Sequence, residues 1–336
     1  MLFAAALSPA LAADLRHLSL GDAISLAIQG NRDIHLAAIS VDNAAAAVIA
    51  ADAPPNPTLT WQTASINPHA GIGAGNLRDK AVDTTIRIDQ TIERGGKREL
   101  RRQTALHQEE AARADRDDAV RQIRLSAAQA YYDLLAAQER LAIAEENAAL
   151  YQQTLQAAQR RKKAGDLAGA DVDRIAVDAL KARGDSRQAA ADVAHARMAL
   201  AMIVGDVRDA ELLYAADPWP VTDGFGVGAA IDRRIEARPD VKAARARLDA
   251  ALEGRRLALA SRTRDVSIGV QFEHAPASDA NPTGTGNSYG ISMQIPLFVR
   301  YHFDGEIRAA EAAVDGARET LEKVRDAARL DIERAR

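Results

Sequence analysis

Between Lys97 and Gly205, apolar residues recur at alternating steps of four and three. The first run is Ile123, Ala127, Ala130, Leu134, Ala137, Leu141, Ala144, Ala148, Tyr151, Leu155 and Ala158, the seam of a heptad helix. A second run follows Gly165: Val172, Ile175, Ala179, Ala182, Ser186, Ala189, Val193, Ala196, Leu200 and Ile203. No proline falls between Pro68 and Pro218, so nothing covalent forces either helix to stop. Lys162 to Gly169 carries two glycines and supplies a tight turn between them. The pattern predicts a long helical hairpin over residues 97–205. At 1.5 Å per residue its first helix extends roughly 100 Å, so the fold must be elongated.

Elsewhere the period drops to two. Thr58–Ile66 and Val82–Ile92 alternate apolar and polar positions, and so do Val266–His274 and Tyr289–Leu297. These are predicted strands, separated by Gly/Asn/Pro-rich loops over 67–80 and 275–288. A helix from Ser19 to Ala53 precedes the first pair, with Ser19 as its N-cap and Pro54-Pro55-Asn56-Pro57 as its stop. The sequence then repeats itself. Asn31-Arg32-Asp33-Ile34 matches Arg238-Pro239-Asp240-Val241, and Ile307, Ala310, Val314, Ala317, Leu321, Val324 and Ala328 restart the heptad seam. Helix, strand, strand and long helix therefore occur twice.

The predicted organisation is a signal-peptide remnant at 1–13, a first repeat at 14–205, a connector at 206–228 and a second repeat at 229–336. The second repeat breaks off inside its long helix, so on the logic of the duplication it is C-terminally incomplete. Residues 1–13 combine an apolar run with a small-residue site at Ala10-Leu11-Ala12, as in an exported chain. No stretch is read as approaching the ~20 apolar residues of a membrane-spanning helix.

Composition narrows the field. The chain is 47% hydrophobic but 4% aromatic, which suits helix bundling better than a dense globular core. Alanine seams allow close backbone approach yet bury little area, so a single helix pair is weakly held. A net charge of −4 argues against a nucleic-acid partner. With no cysteine there is no disulfide, thiolate metal site, cysteine nucleophile or lipidated N-terminal cysteine.

Strands of about nine to eleven alternating residues match the length of transmembrane barrel strands. Four cannot close a barrel, and an edge exposed to lipid would leave amides unpaired, so several copies would have to share one barrel. Three copies would make twelve strands around a water-filled lumen. From patterning alone, a hairpin layer packed on a soluble coiled-coil domain stays equally open.

Six segments carry a family resemblance: Pro55-Asn-Pro-Thr-Leu59, Gln90-Thr-Ile-Glu-Arg-Gly-Gly-Lys-Arg98, Ala128-Gln-Ala-Tyr-Tyr-Asp-Leu-Leu135, Ala164-Gly-Asp166, Arg238-Pro-Asp-Val241 and Pro296-Leu-Phe298. Together and in order, they resemble the TolC-type outer-membrane efflux proteins, and within them the cobalt–zinc–cadmium (heavy-metal) efflux channels. The resemblance implies a mainly α-helical fold with membrane β-structure: a homotrimer with a 12-stranded barrel in the outer membrane of a Gram-negative bacterium and a long α-helical coiled-coil barrel in the periplasm. It implies a passive exit duct for cations or small molecules, docked onto a periplasmic adaptor (membrane-fusion) protein and an inner-membrane resistance-nodulation-division pump. The runner-up is a soluble periplasmic coiled-coil adaptor or scaffold. Asn31-Arg32 departs from the family's usual Asn-Pro, and loss of the second returning helix removes one of two expected tips.

No catalytic constellation, resident metal or cofactor is expected. The seven histidines are scattered, and His69 and His274, expected near the extracellular loops, are weighed as metal ligands and not adopted. The functional residues are expected on surfaces. Asp83, Arg87, Asp89 and Glu273 share the polar strand phase and are assigned to the barrel lumen. Trp61, Ile86, Ile88, Ile268, Val270, Phe272, Ile291, Met293 and Ile295 are assigned to lipid. Gly165, Asp166, Leu167 and Gly169 are assigned to the adaptor-docking tip.

Overall fold

The computed structural model describes residues 17–66, 82–220, 231–276 and 286–334. In chain order they form α1 (Leu20–Gly30), α2 (Arg32–Asp52), β1 (Thr58–Ala64), β2 (Asp83–Ile92), α3 (Lys97–Lys163), α4 (Gly169–Val204), α5 (Ile231–Ala237), α6 (Pro239–Ala260), β3 (Val266–Ala275), β4 (Gly286–Gln294) and α7 (Asp304–Arg334). The chain divides into two compact units, one comprising residues 1–39 and 115–229, the other 40–114 and 230–335.

In the first unit the distal part of α3 packs on α4 along the heptad seams. Ala127, Ala130, Leu134, Ala137 and Ala158 are buried on α3, as are Val172, Ala179, Ala182, Val193 and Leu200 on α4. Tyr151 departs from the pattern, since it is 44% exposed in a region where both helices present mostly small side chains. Tyr131, fully buried, organises the far end of this unit. Its hydroxyl donates to the Leu18 carbonyl (3.0 Å) and accepts from the Asp217 amide (3.0 Å). One side chain thus ties the chain start and the 206–220 connector to α3, which explains a motif tyrosine in structural terms. Burial pushes that hydroxyl's pKa up. Leu18 also bridges Ala215 in parallel, and Asp217 accepts from the Leu20 amide at 2.7 Å.

Ser19 caps α1 reciprocally with Asp22, as expected. The single helix expected over 19–53 is instead two. Asn31 is extended (φ −74°, ψ 126°) and its Oδ1 accepts from the Asp33 amide at 2.8 Å, so the chain stops one helix and caps the next there. Arg238 holds the same place between α5 and α6, with Pro239 starting the new helix. Asn31-Arg32 and Arg238-Pro239 are the same joint, and only the second announces itself by proline. Helix α2 also corrects the membrane-span reading: its alanines make it long and apolar enough, by composition alone, to cross a membrane. None of its residues is buried.

In the second unit the strands form one antiparallel sheet in the order β1-β2-β3-β4. Beside it α5, α6 and α7 enclose a small core of Ile235, Val241, Ala244, Leu321 and Ala328. Arg238 secures this bundle, pairing with Asp240 at 2.6 Å and Asp331 at 3.2 Å.

Each strand differs from expectation at one boundary or both, β2 and β3 by a single residue. β1 stops at Ala64 because Ser65 adopts a left-handed conformation (φ 58°) and its hydroxyl bonds the Asp83 carboxylate, leaving Ile66 outside. β4 runs 286–294 rather than 289–297. It begins at Gly286 in the left-handed region (φ 73°) and ends before Pro296, which has no amide to donate. Ile295 and Leu297 therefore follow the strand rather than belong to it, and the expected 275–288 loop gives up its last three residues to β4 and its first, Ala275, to β3. The expected 67–80 loop, with His69, and the 1–13 segment lie outside the described residues.

Candidate functional site

Strand register sorts the sheet into two chemical faces. One row runs Trp61–Ile86–Phe272–Tyr289 and the next Leu59–Ile88–Val270–Ile291, followed by Gln90–Ile268–Met293. Every strand residue assigned to lipid from the sequence lies on this face, and Ile295 follows just beyond its end. Leu59 and Tyr289 belong to it as well, and their place was readable from the same alternation. The opposite face carries Thr60–Arg87–Gln271–Gly290, Gln62–Thr85–Glu273–Ser288 and Thr58–Asp89–Gly269–Ser292.

Exposure inverts the usual order. The apolar face is the open one: Trp61 is 62% exposed, Val270 56% and Ile291 86%. The polar face is the more covered on β2, β3 and β4, with Thr85, Arg87, Asp89, Gln271, Glu273 and Ser292 all half-buried. A soluble sheet buries its apolar face and wets the polar one. An exposed contiguous apolar face of this kind marks contact with lipid or another chain.

The four charges on the polar face do not act alike. Arg87 closes on Asp89 at 2.6 Å, which neutralises both. Asp83 accepts from Ser65. Glu273, flanked in register by Thr85 and Ser288, makes no ion pair among the described residues. With Arg87 and Asp89 paired, the negative charge left on this face falls on Glu273 and Asp83. Gly269 makes room for the pair: a Cβ there would overlap Asp89 Oδ1 and lie 2.5 Å from Ser292 Oγ.

All four strands meet their helices at one end of the sheet, and family-motif residues join there. Gln90 Nε2 donates to the Pro55 carbonyl (2.9 Å), Arg98 Nε to the Asp52 carbonyl (2.5 Å), and Lys97 Nζ to Asp265 (2.9 Å). Gly95 must be small as well as left-handed (φ 74°), because a Cβ would lie 2.9 Å from Thr263 Cβ.

The 164–168 turn between α3 and α4 is a full Schellman closure. Gly165 is left-handed (φ 85°), its amide donates to the Lys162 carbonyl (3.1 Å), and the Asp166 amide reaches the Arg161 carbonyl (3.0 Å). Gly165 and Asp166 are exposed, while Leu167 and Gly169 are half-buried. Arg160 to Lys163 place four cations on the last turn of α3, where the helix dipole favours them. Among the described residues no group of His, Asp or Glu is arranged to hold a metal ion. His274 Nδ1 instead lies 2.7 Å from Asn287 Oδ1.

Comparison with known proteins gives this geometry a context. The sequence matches the outer membrane efflux protein family over residues 23–206 and 230–335. It is 27% identical over 307 residues to the cobalt-zinc-cadmium resistance protein CzcC of Cupriavidus metallidurans, spanning 89% of this chain and 68% of that protein. In fold it is similar to a membrane protein from Pseudomonas aeruginosa (TM-score 0.74, 21% identity, 92% of this chain and 74% of that one). It is also similar to the outer membrane protein VceC of Vibrio cholerae (TM-score 0.72, 19% identity, 91% and 75%). These matches do not favour the soluble adaptor reading, and the family is one of efflux ducts rather than enzymes. The chain belongs to the outer membrane efflux protein family, as an outer-membrane channel component of an efflux system.

Proposed function

We propose that three copies of this chain join their sheets edge to edge into a twelve-stranded barrel, apolar face to lipid and polar face to a water-filled lumen. The observation that carries this reading is the inverted sheet, in which the row Trp61–Ile86–Phe272–Tyr289 is open while the ion-paired polar face is partly covered. Strands β1 and β4 each have one neighbour in the sheet, so their outer edges need partners before the sheet can enter a bilayer. Asp83, Arg87, Asp89 and Glu273 then line the duct in threefold rings, with Glu273 supplying the acidic ring that mildly favours cations.

The α3–α4 turn at Gly165, Asp166, Leu167 and Gly169 is the periplasmic tip. It contacts an adaptor protein that in turn engages an inner-membrane resistance-nodulation-division pump. The relative named for cobalt, zinc and cadmium resistance supports divalent cations as cargo. The duct is passive, and its cargo is selected upstream.

The test is membrane insertion of Ile86→Arg against Thr85→Arg, neighbouring residues on opposite faces. An arginine on the lipid face near the bilayer midplane costs about 2–4 kcal/mol, whereas a lumen arginine is hydrated. I86R should abolish assembly of detergent-extractable trimers and T85R should preserve it. Equal behaviour would contradict the assigned faces.

A further inference from the structure

At the helix end of the sheet the acidic side chains are taken up internally. Asp265 is held by Lys97 at 2.9 Å, Glu93 by Arg101, Asp304 by Arg262 at 2.6 Å, and Glu306 by the Tyr301 hydroxyl at 2.5 Å. Three arginines in the same region, Arg94, Arg264 and Arg300, are exposed and have no acidic partner among the described residues.

Their placement is specific. Ile92 pairs with Val266 as the last row of the β2–β3 ladder, and both residues belong to the apolar phase. The ladder ends there, and Arg94 follows Ile92 by two residues while Arg264 precedes Val266 by two, directly past the apolar rows. Cations gathered at one end of a sheet without acidic partners repel one another unless an anion lies among them. The chain here is fixed rather than loose: the Arg94 amide donates to Asp265 (2.9 Å) and Arg262 Nε to the His302 carbonyl (3.1 Å). Arg264 lies over the Phe298 ring at 5.7 Å, and Phe298 packs edge-on against Phe303 at 5.0 Å. Aromatic rings beside cations at the end of an apolar strand face are the composition of a membrane–water interface.

We propose that Arg94, Arg264 and Arg300 form a belt that binds the phosphates of anionic phospholipid headgroups in the leaflet nearest the helices. The belt would fix the barrel's depth in the bilayer. This inference rests on the lipid-facing reading above and adds the partner and the leaflet.

The test is native mass spectrometry of the full chain in detergent, offered phosphatidylglycerol and phosphatidylcholine together. The wild type should retain phosphatidylglycerol preferentially. R94Q/R264Q/R300Q should bind it more weakly by on the order of a hundredfold, since each arginine at a lipid surface contributes about a factor of five. R94K/R264K/R300K, which keeps the charges, should retain most of the preference, and R160Q/R161Q on the last turn of α3 should leave it intact. Excess inorganic phosphate should not displace the lipid. Unchanged lipid retention in the glutamine variant would overturn the belt, as would full displacement by phosphate, which would mark a site for free anions. Loss of trimers with no change in lipid binding would overturn it too, assigning the arginines to a second copy. A chain that inserts into vesicles yet shows no headgroup preference removes only the belt. A chain that never inserts removes the channel reading and the belt with it.

Discussion

The carboxylate of Asp89 on β2 occupies the space that a side chain at Gly269 on β3 would need. Asp89 is fixed there by Arg87 at 2.6 Å, so a methyl group at residue 269 must break the pair or bend the strand. Gly290 on β4 differs: a Cβ there would lie 2.9 Å from Gln271 Cγ, part of a flexible side chain that can turn aside. Gly269→Ala should therefore destabilise the barrel by about 1–3 kcal/mol, the usual range for overpacking, and Gly290→Ala by clearly less. Thermal unfolding of the two variants in detergent checks the order.

Acid should loosen the start of α3 within a defined window. The Glu99 carboxyl is held at about 2, against an ordinary 4.5, first by a hydrogen bond from Arg102 and then by one from Gln103. Glu93 is lowered as well, chiefly by its hydrogen bond from Arg101. A depressed carboxylate stabilises the fold fully above its unfolded pKa and loses that contribution as pH falls through its folded one. The Glu99 contribution is thus intact above about pH 4.5 and fades toward pH 2. E99Q should flatten the helicity-against-pH curve in that interval, as followed by circular dichroism. An unaltered curve would show that the Arg102 bond does not persist in solution.

The tip glycine separates backbone strain from docking. Gly165 is left-handed, yet nothing lies within 4 Å of a Cβ placed there. Substitution therefore carries only the conformational cost of a side chain in that region, about 1–2 kcal/mol for most residues and less for asparagine. G165N should keep a stable hairpin and metal resistance in cells. G165V should still insert as trimers but lose adaptor-dependent resistance. Full resistance in G165V would count against the tip as the docking surface.

How much of this was legible in the sequence depended on whether a residue's role repeats along the chain. Leu134, Val193 and Leu200 recur at heptad steps and were placed on the seam, where they are buried. Ile86, Val270 and Ile291 alternate with polar neighbours, and register puts them on one face. Features set by a single backbone torsion left no such trace. Asn31 breaks a helix by capping the next, Ser65 ends β1 by turning left-handed, and Gly286 starts β4 earlier than its apolar residues suggest. The Arg87–Asp89 pair was equally hidden, because alternation says which face a charge takes but not which neighbour it meets.

The outward facing of the apolar strand rows can be read from one of the chain's two tryptophans. Replacing Trp219 by phenylalanine leaves Trp61, on the apolar face of β1, as the single reporter. In vesicles made with brominated acyl chains, Trp61 emission should be strongly quenched and shifted to shorter wavelength, and iodide in the water should have little effect. Strong quenching by iodide with none from the brominated chains would place Trp61 in water and contradict the barrel.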